Sequence, residues 1–277
     1  MDFDAYCQQR AAQSGSSFYY SFLLLPPERR QAINALYTFC REVDDVVDEC
    51  HDPQIAHTKI AWWRTEVKRI FDGGASHPAA QALVPAVARF QLPAEYFMEI
   101  LDGMEMDLTQ SRYLDFKALS LYCHRVAGVV GLLSAEIFGY TDRGTQKYAH
   151  ELGMAFQLTN IIRDVGEDAR RNRIYLPVDE LQRFGVKAAD IRQARYSDEF
   201  RALMQFQIER AEQYYERAFA QLPAADRKAQ RPGLVMAKIY RTLLEEIRRD
   251  GCLVLDRRTS LTPLRKLWLA WTTWAFA

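Results

Sequence analysis

The sequence predicts an all-α protein. Apolar residues recur at three- and four-residue intervals along most of the 277-residue chain, few segments alternate as a strand would, and breakers such as Asp72-Gly73-Gly74 and Pro232-Gly233 fall between the periodic segments. With 49% hydrophobic residues the chain can bury one large core, so a single domain over 1–277 is expected.

The first helix is expected over Phe3–Ala12, ended by Ser14-Gly15-Ser16-Ser17 ahead of the aromatic stretch from Phe18 to Phe22. Pro26-Pro27 then opens a helix, since proline is tolerated in a first turn where its missing N–H is not needed. That helix should run from Glu28 to Cys50, with Ile33, Leu36, Tyr37, Cys40, Val43 and Val47 facing inward. Helices over Ile55–Phe71, His77–Phe90 and Ala94–Asp107 follow, with Asp107, Arg112 and Tyr113 at a polar break. From Phe116 to Phe138 the pattern is again helical, although Gly128 and Gly131 each cost about 1 kcal/mol relative to alanine. A kink, a ligand or chain close to the backbone, or tight helix–helix packing would offset that cost. Thr145–Asp168, the short Val178–Phe184, Ser197–Leu222, Gly233–Cys252 and a tail from Leu261 complete the helical reading.

Charge and cysteine usage narrow the function. Thirty-six basic and thirty-six acidic residues cancel, which argues against a general nucleic-acid binder. Five scattered cysteines without a CxxC pair suggest neither a disulfide framework nor a zinc knuckle, and fit a reducing cytosol. The start, Met1-Asp2-Phe3-Asp4, is acidic where a signal peptide is basic, and no apolar run is expected to reach the roughly 20 residues of a membrane span. A cytoplasmic protein, soluble or peripheral on the inner membrane face, is the expectation. His51 and His57, and Cys50 beside His51, lack metal-ligand spacing and read as surface or helix-end residues.

Two acidic rows stand out. Asn160, Asp164 and Asp168 recur at every fourth position and so share one helix face, while Ile161, Ile162 and Val165 turn away from it. Asp44 and Asp48 repeat the spacing near the end of an earlier helix, where carboxylates oppose both the helix dipole and one another. Facing across a bundle, the two rows need something cationic between them. Mg²⁺ is the natural candidate, because it takes oxygen ligands and is usually completed by substrate phosphates. Arg41, Arg163 and Arg173 lie beside the rows and can grip a diphosphate in bidentate fashion. Phe18, Tyr19, Tyr20, Phe22, Tyr37 and Tyr122 can wall an apolar pocket and stabilise a carbocation, or equally pack in the core.

Ser16-Ser17-Phe18-Tyr19-Tyr20, Cys40 to Glu49, Tyr122 to Gly131, Gln157 to Asp168 and Arg173-Ile174-Tyr175-Leu176-Pro177 together resemble, in order and over nearly the whole chain, the squalene and phytoene synthase family. Within it the sequence is most similar to bacterial presqualene diphosphate synthases of hopanoid-type squalene pathways. The resemblance implies an isoprenoid synthase-type helical bundle with a central cavity and a head-to-head condensation of two farnesyl diphosphates to presqualene diphosphate. It implies three Mg²⁺ ions with bound diphosphate, held by Asp44, Asp48, Asn160, Asp164 and Asp168. It places Ser17, Phe18, Tyr20, Arg41, Tyr122, Gln157, Asn160, Arg163, Arg173, Tyr175, Tyr240 and Arg258 around the substrate, with Tyr122, Arg163 and the four aspartates as catalytic groups. Proton acceptance falls to a tyrosine or to the released diphosphate.

Sister activities share these motifs: squalene synthase with NADPH reduction, phytoene synthase acting on two geranylgeranyl diphosphates, and hydroxysqualene synthase. A helical assembly factor of the same fold is the rival from another class. No GxGxxG occurs, so NADPH is not expected. Downstream squalene-pathway enzymes are the protein partners such a role implies. The Trp-rich segment from Lys266 to Phe276 either rests on a membrane surface or packs on the domain.

Overall fold

The computed structural model describes residues 2–50 and 52–276, so Met1, His51 and Ala277 lie outside the described residues. The elements in chain order are α1 (Phe3–Gln13), α2 (Ser17–Phe22), α3 (Pro27–Glu49), α4 (Pro53–Phe71), α5 (Pro78–Phe90), α6 (Ala94–Thr109), α7 (Phe116–Cys123), α8 (Val129–Phe138), α9 (Gly144–Arg170), α10 (Val178–Arg183), α11 (Ala188–Arg192), α12 (Asp198–Gln221), α13 (Arg231–Arg249) and α14 (Pro263–Phe276). A π-helical turn, His124–Gly128, joins α7 to α8. Among the described residues, extended pairing is confined to an isolated parallel bridge between Arg112 and Ile174.

Two apolar clusters build the body. The first gathers residues of α1, α3, α4, α5, α6 and α8 around Phe39, whose ring meets Trp63 and Phe97 edge-on at centroid distances of 5.5 Å each. The second centres on α9, flanked by α12, α13 and α7, with Phe200, Tyr215 and Leu244 buried in it. Phe18, Val126 and Trp274 pack against both clusters. The space between the clusters is the central cavity.

The stretch from Phe116 to Phe138 corrects two expectations. It is 23 residues long with a mean hydropathy of 1.4 over its most apolar window, so by length and composition it can cross a membrane. It is also not one regular helix. The π-turn inserts an extra residue per hydrogen-bonded ring, so that Tyr122 before it and Val126, Val130 and Gly131 within and after it all line the same cavity. Tight packing accounts for the glycines: a Cβ on Gly131 would overlap the Ala149 carbonyl, and one on Gly153 would overlap the Ala127 carbonyl. Thus α8 and α9 touch backbone to backbone along the cavity wall.

Asp226 ties the start of α13 to the start of α9. It is 2% exposed and accepts hydrogen bonds from the Thr141 N–H and hydroxyl at 2.7 Å each, the Asp142 N–H at 3.0 Å and the Thr145 hydroxyl at 2.7 Å. Burial opposes its charge, but these donors prevail and hold its pKa down at about 2. A depressed carboxylate pKa stabilises the fold above the unfolded value near 4 and loses that contribution as pH falls toward 2. Asp226→Ala should therefore cost about 3 kcal/mol in urea unfolding at pH 7. The difference from wild type should shrink below pH 4, and an undiminished gap at pH 2.5 would contradict the assignment.

Candidate active site

Both acidic rows face one cavity system. Its apolar part, about 230 Å³, runs between α3, α8 and α9. Its polar mouth, about 500 Å³, is lined by Asp44, Asp48, Asp164 and Asp168 together with Arg41, Arg163, Arg171, Arg173 and Arg258. Phe18, Tyr37, Arg41, Asp44, Tyr122 and Asn160 line both parts, so the mouth opens into the apolar channel.

Arginines from the same helices and from distant segments occupy the carboxylates. Arg41 donates to Asp44 at 2.6 Å and Arg163 Nε to Asp164 at 2.7 Å. Arg171 and Arg173, just past the C-terminus of α9, reach across the mouth to Asp48 on α3 at 2.7 Å each. Those two contacts join the row on α9 to the row on α3, and they place cations at an α3 C-terminus otherwise burdened with negative charge. Arg258 donates to Asp164 at 2.8 Å.

Asp107, at the end of α6, completes the carboxylate set and was missed as a site residue. Tyr122 donates to its Oδ2 at 2.8 Å and Tyr175 to its Oδ1 at 2.6 Å, with the two rings stacked at 5.1 Å. Burial pushes its pKa up to about 6 despite the Tyr175 and Tyr122 hydrogen bonds and the Arg173 charge. Its sequence signal was a carboxylate on the apolar face of α6, one turn after the buried Met104. Backbone pairing sets this corner: Ile174 N–H donates to Ser111 carbonyl at 3.0 Å and Val178 N–H to Tyr113 carbonyl at 2.9 Å.

The donor set fits divalent cations. Burial, then neighbouring Asp48, raises Asp44 to about 7; burial, then Asp164 and Asp107, raises Asp168 to about 8. Burial also works against Asp164, but Arg163 and Arg258 hold its carboxyl below the ordinary range. Asn160 Oδ1 is buried without a hydrogen-bond partner. Hard oxygen ligands with surplus negative charge suit Mg²⁺-like ions. Among the described residues no three His, Cys, Asp or Glu groups converge tightly enough to hold an ion alone, which suits ions completed by phosphate oxygens.

The structure brings together almost all the residues expected from the sequence. Ser17, Phe18, Arg41, Tyr122, Gln157, Asn160, Arg163, Arg173, Tyr175, Tyr240 and Arg258 line the mouth or the channel. Phe18 sits at the junction, its ring 6.0 Å from Tyr37 and 6.1 Å from both Phe156 and Tyr240. Tyr19 and Tyr20 are the exceptions: neither lines either space, and Tyr20 lies beneath Lys266 at 5.8 Å. Successive helical residues point about 100° apart, so Phe18, Ser21 and Phe22 reach the channel while Tyr19 and Tyr20 turn away from it. Arg171, Glu167 and Lys266 are further mouth residues not singled out from the sequence. His57 stands apart from both spaces, 3.5 Å from Glu105.

An all-α fold whose mouth gathers carboxylates and arginines above an apolar channel defines a helical enzyme that handles prenyl diphosphates. The chain belongs to the squalene/phytoene synthase family, whose model matches residues 11–265. It is 38% identical to the 15-cis-phytoene synthase of Synechococcus elongatus over 94% of this chain and 89% of that one. It is 39% identical to that of Synechocystis over 96% of this chain and 83% of the relative. Its fold matches a crystal structure of a dehydrosqualene synthase with a TM-score of 0.86 at 29% identity, covering 99% of this chain and 96% of that one. The protein is a prenyltransferase of isoprenoid biosynthesis, of a divalent-metal-dependent family that uses prenyl diphosphates. These relatives overturn the expectation of a presqualene diphosphate synthase acting on farnesyl diphosphate: the shared motifs grip the diphosphate and do not distinguish chain length.

Gly166, between Asp164 and Asp168, has a separate task. Its N–H donates to the Val254 carbonyl at 3.1 Å, and a Cβ there would overlap the Leu255 backbone. The segment carrying Arg258 is thereby pressed onto α9. Gly166→Ala should displace it and lower kcat/KM about tenfold, as should Arg258→Ala. The double variant should fall little further, since both changes remove the same contact to Asp164. Fully additive losses would separate the two residues.

Proposed function

We propose that this protein is a phytoene synthase, joining two geranylgeranyl diphosphates head to head with loss of both diphosphates. The observation that carries the reading is 38–39% identity to curated phytoene synthases over 94–96% of this chain. The channel length supports it. From Asn160 to Tyr148 the α9 wall spans roughly 18 Å at 1.5 Å per residue. An extended carbon chain advances about 1.2 Å per bond, so a C20 prenyl main chain spans about 18 Å and a C15 one about 13 Å.

Asp44, Asp48, Asn160, Asp164 and Asp168, with Asp107 behind them, would hold Mg²⁺ together with the substrate diphosphates. When bound, such ions withdraw charge from the leaving diphosphate and favour breaking of the allylic C–O bond. The chain's own residues supply the remainder. Arg41 and Arg171, each bridging two carboxylates, and Arg173, which donates to Asp48 and to the Val47 carbonyl, can transfer those donors to phosphate oxygens. Phe18, Phe156 and Tyr240 present aromatic faces where the mouth meets the channel, where positive charge develops on carbon. The double bond of the second chain attacks that carbon, and the apolar wall excludes water that would quench it.

Tyr122 and Tyr175 are poor bases, because both hydroxyls already donate to Asp107 and burial raises both phenols well above their ordinary pKa. The released diphosphate is the better proton acceptor. Two C–O bonds break and two protons leave over the whole reaction, so electrons balance without a reductant. With Mg²⁺ and geranylgeranyl diphosphate alone, the pure protein should form a C40 hydrocarbon detectable by mass spectrometry, and Asp44→Asn or Asp168→Asn should abolish diphosphate release while helicity is retained. Efficient condensation of farnesyl diphosphate with little C40 product would defeat the C20 assignment. Wild-type turnover in both variants would defeat the metal assignment.

The same reading extends to localisation, a cytoplasmic protein resting on the inner membrane face. On α14, Ala270 is buried and Trp274 packs on both clusters, while Leu264, Trp268 and Trp271 are 79%, 61% and 59% exposed. The helix thus packs on the domain and still presents an apolar stripe. Tryptophans favour the membrane interface, and the hydrocarbon product belongs in lipid. In flotation with anionic vesicles, wild type should rise with the lipid and a Trp268→Ser, Trp271→Ser variant should remain below. Equal flotation of the two proteins would exclude the stripe as the anchor.

A further inference from the structure

The far end of the channel carries a pairing that the chemistry at the mouth does not use. Tyr148, the α9 residue of the lining most distant from Asn160, is 1% exposed, and its hydroxyl has no hydrogen-bond partner. A buried phenol normally finds a partner for that group. Facing it is Gly233, in the first turn of α13. A Cβ built on Gly233 would lie 2.6 Å from the Tyr148 hydroxyl oxygen and 3.3 Å from Leu152 Cδ2. Gly233 is not among the glycines with positive φ, so its backbone does not demand glycine. What glycine provides here is room, at the usual helix-propensity cost.

Other elements close the same end. Ile33, on α3 about three turns before Asp44, and Phe138, the last residue of α8, also line the channel, and Pro232 fixes the entry of α13 beside Gly233. Tyr148 is the rigid piece among them: a fully buried ring with only two side-chain torsions, lodged in the space that Gly233 leaves open. A prenyl tail running along α9 from a diphosphate at Asn160 meets this ring after about 18 Å. A residue there can stop a longer tail without touching the reacting carbons.

We propose that Tyr148, seated against Gly233, is the end wall of the prenyl channel and sets the longest chain the enzyme admits. The proposal rests on the orientation given above, with the diphosphate at the mouth and the tail along α9. It makes the two positions opposite controls on one dimension. Shortening the Tyr148 side chain opens the end by about one isoprene unit. A methyl on Gly233 drives the ring toward the mouth and shortens the channel.

The test is a competition among farnesyl, geranylgeranyl and geranylfarnesyl diphosphates (C15, C20 and C25) with Mg²⁺, read by diphosphate release and product mass. Circular dichroism and melting curves establish that each variant is folded. Tyr148→Leu should raise kcat/KM for C25 relative to C20 at least tenfold. Gly233→Ala should lower C20 relative to C15 by a similar factor. If one variant does not fold, the direction of change in the other decides. Folded variants that keep the wild-type ratios would overturn the end-wall proposal. A wild type that prefers C15 would instead remove the C20 assignment, while opposite shifts in the two variants would still uphold Tyr148 and Gly233 as the wall.

Discussion

Repulsion between carboxylates held on separate helices is the constraint around which this fold is arranged. Two like charges 4 Å apart cost about 4 kcal/mol at an effective dielectric constant of 20, and the mouth collects Asp44, Asp48, Asp107, Asp164 and Asp168. Arginines relieve Asp44, Asp48 and Asp164, and two tyrosine hydroxyls relieve Asp107. Asp168 makes no side-chain hydrogen bond or ion pair among the described residues, and the unpartnered Asn160 Oδ1 lies two turns before it on α9. The least compensated groups are therefore ligand-type oxygens on one helix face, which is where added cations stabilise the protein most.

That arrangement depends on contacts between backbones. Arg173 and Tyr175 are delivered by pairing of the segment after α9 with the segment after α6, through Ser111 and Tyr113. Arg258 arrives because Gly166 lets the Val254–Leu255 backbone lie against α9. The channel wall has its counterpart in Gly131 and Gly153, where α8 and α9 meet without intervening side chains. Close approach of backbones thus fixes both the charged mouth and the apolar wall. The side chains of the candidate site inherit their positions from these backbone contacts.

The acidic rows were legible in the sequence because helical periodicity converts four-residue spacing directly into a shared face. So were the helices themselves, most of which begin or end within a few residues of their expected bounds. Asp107 was not, since a single carboxylate on an apolar face has no spacing partner, and its meaning comes only from Tyr122 and Tyr175, brought to it from two other elements. The π-turn at His124–Gly128 was hidden because its glycines suited several local outcomes equally. Tyr20 was misplaced for the opposite reason: motif adjacency groups consecutive residues, whereas a helix sends them in different directions.

Chain length was not legible in the sequence for a deeper physical reason. Diphosphate is held by charge, and charged groups at fixed spacing leave a strong pattern in the sequence. A prenyl tail is bounded by van der Waals contact alone, which any apolar residue can supply, so its stop is encoded in the shape formed by Ile33, Phe138, Tyr148 and Gly233, drawn from four separate helices. The separation has a consequence for the enzyme itself. Ionisation of the leaving group is governed at one end of α9 and the admitted length at the other, about 18 Å away. Substitutions at the far wall can therefore change which substrate is condensed without disturbing the electrostatics that make condensation occur, and one helix can serve relatives with different chain lengths while its acidic face stays the same.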